Sequence, residues 1–290
     1  MPISTGQLTS AMDDLGLADR PVMVHSSLRS FGDRVDGGAD ALLDLFLARG
    51  CTVLVPTFSE SQFGAVPPAA MRPERNAIDY AELPADAPAV QDVPEYTVDS
   101  TVVNEGMGIL PARLLARPDA ERGRHPLNSF AALGPQAHDL IAAQSAADVY
   151  GPLRELAGRG GAVLLMGVGL DRMTLLHHAE QASGRRLLVR WACDSGGRVF
   201  MVETGSCSEG FPRLEPVLRP LARTARVGES GWAAYPAKEV IDAARDAMCA
   251  DQTVTRCADD SCLRCRDSIA GGPVGPAPLA CPSLERRPRR

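Results

Sequence analysis

The chain is nearly free of lysine, since Lys238 is the only one among its 30 basic residues. This arginine-rich and alanine-rich usage indicates a genome of high GC content. The chain also lacks an excess of positive charge: 36 acidic residues against 30 basic ones give a formal net charge of −6. A negative balance disfavours a nucleic-acid partner and suits a cationic small molecule.

Two kinds of hydrophobic segment are missing as well. No stretch approaches the ~18 apolar residues of a membrane span, so we expect no membrane partner. The opening residues, MPISTGQLTSAMDDLG, lack the basic segment and apolar run of a secretory signal, which predicts a cytoplasmic location. With 290 residues, 45% of them hydrophobic, the chain can bury a sizeable core without disulfides.

Alternating hydrophobic patterns predict the fold class. Residues 5–18 are typical of an amphipathic helix, 21–27 of a buried strand, 39–50 of a second helix and 51–58 of a second strand. This alternation indicates an α/β protein with a parallel or mixed sheet covered by helices. Further helices are predicted over 106–117, 135–144, 152–160, 170–183 and 233–248, and further strands within 125–134, 161–169 and 186–204.

The domain organisation is expected to be simple. We predict one domain over 1–270 and a disordered Pro- and Gly-rich tail over 271–290. Within the domain, 60–105 is a Pro-rich loop without periodicity and 249–270 is a Cys-rich segment. A long irregular stretch inside a domain is often functional, so we interpret 60–105 as a loop on the substrate side. A surface insertion without a role is the alternative.

The strongest local motif consists of Thr174, His177 and Glu180. Residues three apart share one face of a helix, so the three side chains are expected to lie together, whereas His178 is rotated away. The helix follows a strand-to-helix turn, where open α/β folds place their sites. A carboxylate beside a histidine raises its basicity and fixes its tautomer, which suits a general base. A structural His–Glu pair on a packed helix is the alternative.

Polar turns after other strands give weaker signals. Ser26 to Ser30 follow a buried strand, and backbone N–H and hydroxyl groups there can bind a phosphate or an amide. His125 and Ser129 belong to a second polar turn. Either turn could instead be purely structural. The glycine pair Gly167 and Gly169 lacks a third glycine at the dinucleotide spacing, so we predict no nucleotide fingerprint there.

The C-terminal cysteines form a second motif. Cys257, Cys262 and Cys265 have the spacing of a structural zinc site, which needs a fourth ligand. The remaining candidates for that ligand are Cys207, Cys249 and Cys281. We favour Cys207, because it occupies a polar turn after a strand and would tie the tail to the core. Free thiols, as expected in a reducing cytosol, and a redox pair are the alternatives.

Three blocks of the chain resemble the aminoglycoside 3-N-acetyltransferase family. They begin PVMVHSSLRSFG, GMGILPARLLARPDAERGRHPLNSFAALG and GPLRELAGRGGAVLLMGVGLDRMTLLHHAEQA. Their order and approximate spacing match the family over roughly residues 5–250. The resemblance implies a three-layer α/β/α fold with a central mixed sheet, acetyl-coenzyme A as co-substrate and an aminoglycoside antibiotic as substrate.

The resemblance also implies site residues. The implied catalytic residues are His177, Thr174 and Glu180, the last being the partner of His177. The substrate-binding residues are Asp171 and His125. The cofactor-binding residues are Ser26, Ser27, Leu28, Ser30, Gly106, Met107, Gly108 and Ser129. Three positions depart from the family pattern, since Asn128 and Leu170 replace histidines and Met173 replaces an asparagine. These departures remove polar groups near the expected substrate and leave the His–Glu pair intact.

We therefore predict an acetyl-coenzyme A-dependent enzyme that acetylates a 3-amino group by direct attack and so confers antibiotic resistance. His177 is the expected general base, and the cysteines are the expected ligands of a structural zinc. One alternative is an N-acetyltransferase of another amine, in antibiotic biosynthesis or self-protection. The other is a non-catalytic zinc-containing binding protein. The sequence leaves the choice between a monomer and a homodimer open.

Overall fold

The computed structural model describes residues 2–83 and 93–274. Residues 84–92 of the Pro-rich loop and residues 275–290 of the tail predicted over 271–290 lie outside the described residues. The first residues of that tail, 271–274, are described, and Val274 exchanges backbone hydrogen bonds with Arg75. The helices are α1 Thr5–Leu15, α2 Gly38–Ala48, α3 Glu60–Phe63, α4 Ile109–Leu115, α5 Ala137–Ala142, α6 Gly151–Gly158, α7 Leu175–Ala182, α8 Glu215–Leu218, α9 Ala237–Ala250 and α10 Leu263–Ile269. Among these described helices, none is long and apolar enough to cross a bilayer.

A mixed seven-stranded sheet forms the centre of the molecule. Its strands are β1 Pro21–Ser26, β2 Thr52–Pro56, β3 Glu121–Arg122, β4 Phe130–Leu133, β5 Ala162–Met166, β8 Arg223–Val227 and β9 Ser230–Pro236. The order is β3-β4-β2-β1-β5-β9-β8, with β1 parallel to β2 and β5 and the other pairings antiparallel. Strands β6 Leu188–Cys193 and β7 Val199–Thr204 form a separate hairpin, as the sequence predicts.

Helices cover both faces of the sheet. In β5, Val163 and Leu165 pack into a core that includes residues of α5, α6, α7 and α9, whereas Leu164 and Met166 pack into a second core with α1, α2 and α4. Neighbouring residues of a strand point to opposite faces, so a strand buried on both sides needs a continuous apolar run. The predicted three-layer α/β/α fold with a mixed sheet is confirmed.

The parallel arrangement determines where a site can form. Since β1, β2 and β5 run in the same direction, their carboxyl ends meet at one edge of the sheet. The chain leaves these ends at Ser26, Pro56 and Met166, and the polar turns that follow gather there. Open α/β sheets place ligands at this edge.

The sequence reading was wrong for the strands on one side of the sheet. It assigned residues 233–236 to the last helix, but they belong to β9, and the helix begins at Ala237. Proline disfavours the helical conformation of the preceding residue, so Pro236 keeps Tyr235 extended and separates strand from helix. Strand β8 was missed, because its arginine-rich sequence lacks the apolar run of a buried strand.

Candidate active site

A cleft of about 700 Å³ lies at the carboxyl edge of the sheet. Its walls come from the turns after β1, β2 and β5, from a 3₁₀ turn at Glu105–Met107 and from the start of α7. The predicted site residues that line it are Ser26, Ser27, Leu28, Gly106, Met107, Gly108, Asp171, Thr174 and His177. The structure therefore brings together most of the residues singled out from sequence.

His177 and Glu180 form the expected pair on α7. The Nδ1 atom of His177 lies 2.8 Å from Oε2 of Glu180. The carboxylate accepts, so Nδ1 carries the proton and Nε2 is left as the basic nitrogen of the neutral ring. The side chain of His177 is 12% exposed and lines the cleft, whereas that of Glu180 is 3% exposed. The pair thus joins a partly exposed imidazole in the cleft lining to a buried carboxylate.

The buried carboxylate of Glu180 has two further partners. Its Oε1 accepts a hydrogen bond from Nη1 of Arg185 at 2.6 Å, and its Oε2 accepts one from Oγ of Ser206 at 2.7 Å. Arg185 in turn donates to Oγ1 of Thr255 at 2.7 Å and to the carbonyl oxygen of Gln252 at 2.6 Å. A buried charge needs such pairing, because desolvation otherwise makes it costly.

Aromatic rings hold the imidazole of His177 in place. The ring of Tyr150 lies parallel to it at a centroid distance of 6.3 Å, and that of Phe211 lies 4.7 Å away. Gly205 packs directly against the same ring, since a Cβ atom there would be 2.9 Å from imidazole carbons. The orientation of the imidazole is thus fixed by packing as well as by Glu180.

The start of α7 differs from the prediction. Leu170–Arg172 form a 3₁₀ turn, Met173 is not helical, and α7 begins after Thr174. The backbone N–H of Thr174 points to Nε2 of His25 at 3.4 Å. His178, as expected, lies outside the cleft lining and contacts Gln181.

His25 is a cleft residue that the sequence reading missed as a site residue. It is the penultimate residue of β1 and is buried, and burial, with a smaller effect of Arg172, lowers its pKa from 6.5 to about 3. A neutral imidazole can accept the Thr174 N–H, so His25 connects the ends of β1 and α7. The available signal was a histidine placed at the polar end of an apolar run.

Comparison with known proteins decides the family. The sequence model described as Aminoglycoside 3-N-acetyltransferase matches residues 23–249. The chain belongs to this family. The match contains the turn after β1, both parts of the His177–Glu180 pair and most of α9.

Individual relatives agree with this family membership. The chain is 35% identical over 200 residues to aminoglycoside N(3)-acetyltransferase VIII of Streptomyces fradiae, covering 64% of this chain and 65% of that protein. It is 37% identical over 191 residues to the type IX enzyme of Micromonospora chalcea, covering 62% of each. The matched part thus spans less than two thirds of these relatives.

A solved structure shares the fold. Aminoglycoside acetyltransferase AAC(3)-IVa, as a mutant in complex with a gentamicin, superposes with a TM-score of 0.72 at 19% identity, covering 93% of this chain and 98% of that one. At this identity the likeness concerns the fold, which agrees with the three layers and the mixed sheet described above.

Two predicted ligand contacts of this family member lie away from the cleft lining. His125 is fully buried: its Nε2 lies 2.7 Å from the carbonyl oxygen of Glu203, and its Nδ1 accepts from the N–H of Asn128 at 2.9 Å. Ser129 is also fully buried and lies 2.9 Å from Oγ1 of Thr57. Both side chains fix the turn before β4, and ligand contact by either would require these bonds to break.

Ser30, a third predicted ligand-binding residue outside the cleft lining, packs against the turn after β5. Its Oγ donates to the carbonyl oxygen of Ser27 at 2.6 Å and lies 2.8 Å from Oγ of Ser230. Gly167 has a φ of +65°, and a Cβ atom there would overlap Ser30. Ser30 therefore supports the turn after β5 and does not line the cleft. Glycine is required at 167 because the φ is positive and because Ser30 leaves no room for a Cβ atom.

The three departures from the family pattern lie in different environments. Met173 lines the cleft, so its thioether replaces a polar group in the wall itself. Leu170 and Asn128 are buried outside the cleft lining. Of the described residues in the Pro-rich loop 60–105, Glu105 lines the cleft. The substrate-side role of the remainder of that loop stays a prediction.

The two buried histidines of this family member predict acid sensitivity. Burial lowers the pKa of His125 to about 4. Between pH 6.5 and 4, His125 binds a proton in the unfolded chain and stays neutral in the folded chain. The free energy of unfolding therefore falls as the pH falls through this window. We expect His125 to account for about 3 kcal/mol of this loss, and His25 adds to it. His125→Gln should flatten the pH dependence of the unfolding free energy measured in urea.

The exposed His138, which pairs with Glu121 on the surface, provides the control. His138→Gln should leave the slope of stability against pH unchanged. If His125→Gln showed the same slope as the unmodified protein, burial of a neutral His125 would be disproved.

Four cysteines lie close together in the described part of the chain. The sulfur atoms of Cys207, Cys257, Cys262 and Cys265 all lie within 4.8 Å of one another. Cys262 and Cys265 stand at the start of α10, and Cys207 comes from the loop after β7. The structure thus joins the three clustered cysteines to the long-range partner favoured from sequence, whereas Cys249 is exposed elsewhere and Cys281 lies outside the described residues.

Proposed function

We propose that the protein transfers the acetyl group of acetyl-coenzyme A to the 3-amino group of an aminoglycoside, as its family membership suggests. The observation that carries the proposal is the His177–Glu180 pair, whose imidazole lines a cleft at the carboxyl edge of the sheet. A purely structural His–Glu pair would not need a partly exposed imidazole that lines a cleft. The same observation disfavours a non-catalytic binding protein.

The proposed chemistry follows from the tautomer of His177. An aminoglycoside amine is mostly protonated at neutral pH and cannot attack a carbonyl carbon in that form. Nε2 of His177 accepts its proton, while Nδ1–H remains bonded to Glu180, which stabilises the resulting imidazolium. The coenzyme supplies the activated acetyl group as a thioester, and the free amine attacks its carbonyl carbon. The C–S bond then breaks and coenzyme A leaves as a thiolate, which takes up the second proton that the nitrogen loses as the amide forms. The side chain of Thr174 lines the cleft one helical turn from the base and is our candidate for stabilising charge on the acyl oxygen.

The cleft suits a long, polyanionic coenzyme. Arg29 and Arg172 both line it and provide cations for phosphate groups. Gly106 has open space where a side chain would stand, and Gly108 adopts a φ of +78° in the same wall. The N–H of Ser27 donates to the carbonyl oxygen of Met166 at 2.9 Å, so it is committed to the protein. We propose that Ser26 and Leu28 provide the contacts at this turn.

Acidic residues in the wall suit a cationic sugar. Asp171 and Glu105 line the cleft, although Asp171 also pairs with Arg172 at 3.2 Å. We propose that these carboxylates attract the substrate amines. Met173 makes this wall more apolar than the family pattern, which favours a different amine as the second candidate substrate.

We also propose that the four cysteines hold a structural zinc ion. Tetrahedral Zn–S bonds of about 2.3 Å place sulfur atoms about 3.8 Å apart, so a group within 4.8 Å needs only a small contraction. Three of the four side chains are buried, which fits a closed site. An all-thiolate site leaves no open position, so the ion would support the fold and would not take part in the chemistry.

The direct test is mass spectrometry of products. The protein, acetyl-coenzyme A and a panel of aminoglycosides, with gentamicin among them, should give molecules that carry one added acetyl group. A second panel of unrelated amines separates the two candidate substrates. Acetylation in neither panel, by protein shown to be folded, would contradict the proposed activity.

A further inference from the structure

A four-residue segment connects the cysteine cluster to the proposed base. Gly205 packs against the imidazole of His177, and Ser206 donates to the carboxylate of Glu180. The next residue is Cys207 of the cluster, and Ser208 lines the cleft. Each of the four residues in Gly205–Ser208 therefore contacts the His177–Glu180 pair, lines the cleft or belongs to the cysteine cluster.

The opposite side of Glu180 is connected to the same cluster. Arg185 holds Oε1 of Glu180 and is itself fixed by Thr255 and by the carbonyl oxygen of Gln252. Thr255 precedes Cys257 by two residues. The two segments also approach closely, because a Cβ atom at Gly210 would overlap the carbonyl oxygen of Thr255.

Neither segment has regular secondary structure of its own. Residues 205–208 and 252–257 lie in loops and turns outside the strands and helices, so turn hydrogen bonds and side-chain contacts determine their positions. Irregular backbone keeps one conformation only where other contacts fix it. The cysteine cluster contains a residue of each segment, Cys207 and Cys257, and a metal ion bound by four thiolates would link the two segments rigidly.

We infer that the four-cysteine centre, with zinc bound, is a positioning device for the proposed active site. It links the segment that carries Ser206 to the one that carries Thr255, and through them it fixes Glu180 and the ring of His177. This inference rests on the proposed function for its catalytic consequence. A metal ion held by four thiolates would have no open position for substrate, so Ser206 and Thr255 are assigned as positioning residues.

The first experiment compares Cys262→Ser with Cys249→Ser. Cys262 is a member of the cluster, whereas Cys249 is an exposed thiol on α9 outside it. We expect about one zinc per chain, by elemental mass spectrometry, in the unmodified protein and in Cys249→Ser, and a loss in Cys262→Ser. Hydrogen exchange should then rise at 205–208 and 252–257 while β1 and β5 stay protected, and kcat should fall at least about tenfold.

Retained kcat and retained exchange protection in metal-free protein would overturn the inference, and so would the absence of zinc from protein produced with zinc present.

The second experiment leaves the cysteines intact. Ser206→Ala should keep its zinc and its thermal stability within a few degrees, yet lower kcat about three- to tenfold with little change in KM. Ser206→Thr should restore kcat, because it returns the hydroxyl, and Ser261→Ala on the Cys-rich segment is the matched control.

A zinc-loaded Ser206→Ala variant with unchanged kcat would show that the segment does not position the pair. If the unmodified protein acetylates no amine, the proposed function fails, but the positioning role of the cysteine centre can still be tested without an activity assay. In that case zinc removal must change the side-chain NMR signals of His177 and leave those of His138 unchanged. Unchanged His177 signals would overturn it.

Discussion

Replacing His177 by alanine is expected to lower kcat for acetyl transfer by about 10²–10⁴-fold, the range for loss of a general base. The variant removes the nitrogen that would accept the proton of the substrate amine, while the cleft and its proposed coenzyme contacts remain. KM should change little, because His177 would act on the reacting amine and not on the distant parts of either substrate. Steady-state kinetics of coenzyme A release measure both quantities.

His138→Ala is the matched control, because His138 is also paired with a glutamate but lies on the surface with a side chain 78% exposed. Its kcat should equal that of the unmodified protein. His177→Gln separates chemistry from packing against Tyr150 and Phe211, since it retains more of the side-chain volume. A kcat within twofold of normal in folded His177→Ala would rule out this base.

Replacing Glu180 by glutamine is expected to destabilise the fold by about 3–5 kcal/mol, the cost of removing one partner of a buried ion pair. The side chains of Glu180 and Arg185 are 3% and 8% exposed, so the guanidinium would lose its counter-charge without gaining water. Activity should fall as well, because the neutral amide lacks the negative charge that would stabilise His177 in its protonated form. Urea unfolding gives the stability change.

A second substitution distinguishes these two effects. Arg185→Met in the Glu180→Gln background removes the stranded charge, so part of the lost stability should return while kcat stays low. The control is Glu155→Gln, which breaks the exposed pair with Arg159 and should cost under about 1 kcal/mol. Equal costs for Glu180→Gln and Glu155→Gln would contradict the buried-pair interpretation.

The sequence predicted the features that depend on local spacing. The continuous apolar runs of β1, β2 and β5 predicted strands buried on both faces, and the spacing of three predicted the His177–Glu180 contact. The turns after β1 and β5 were singled out because they are polar or glycine-containing turns that follow buried strands. Local patterns were sufficient for these predictions, whereas the individual ligand-binding residues were taken from the family resemblance.

The remaining features depend on contacts between distant segments. Arg185 follows Glu180 closely, yet its role requires Thr255 and Gln252, 70 and 67 residues away. Ser206 reaches Glu180 because the loop after β7 folds over α7, which no periodicity indicates. Ser30 likewise faces Gly167 and Ser230 instead of the cleft. Such partners could be identified only once the fold was known.

The most direct test of the central claim observes Nε2 of His177 while substrate binds. In protein labelled with ¹⁵N at histidine, an aminoglycoside that becomes acetylated should shift the Nε2 signal of His177 towards the protonated form and leave that of His138 unchanged. Acetylation that proceeds with the His177 signal unmoved would contradict the account.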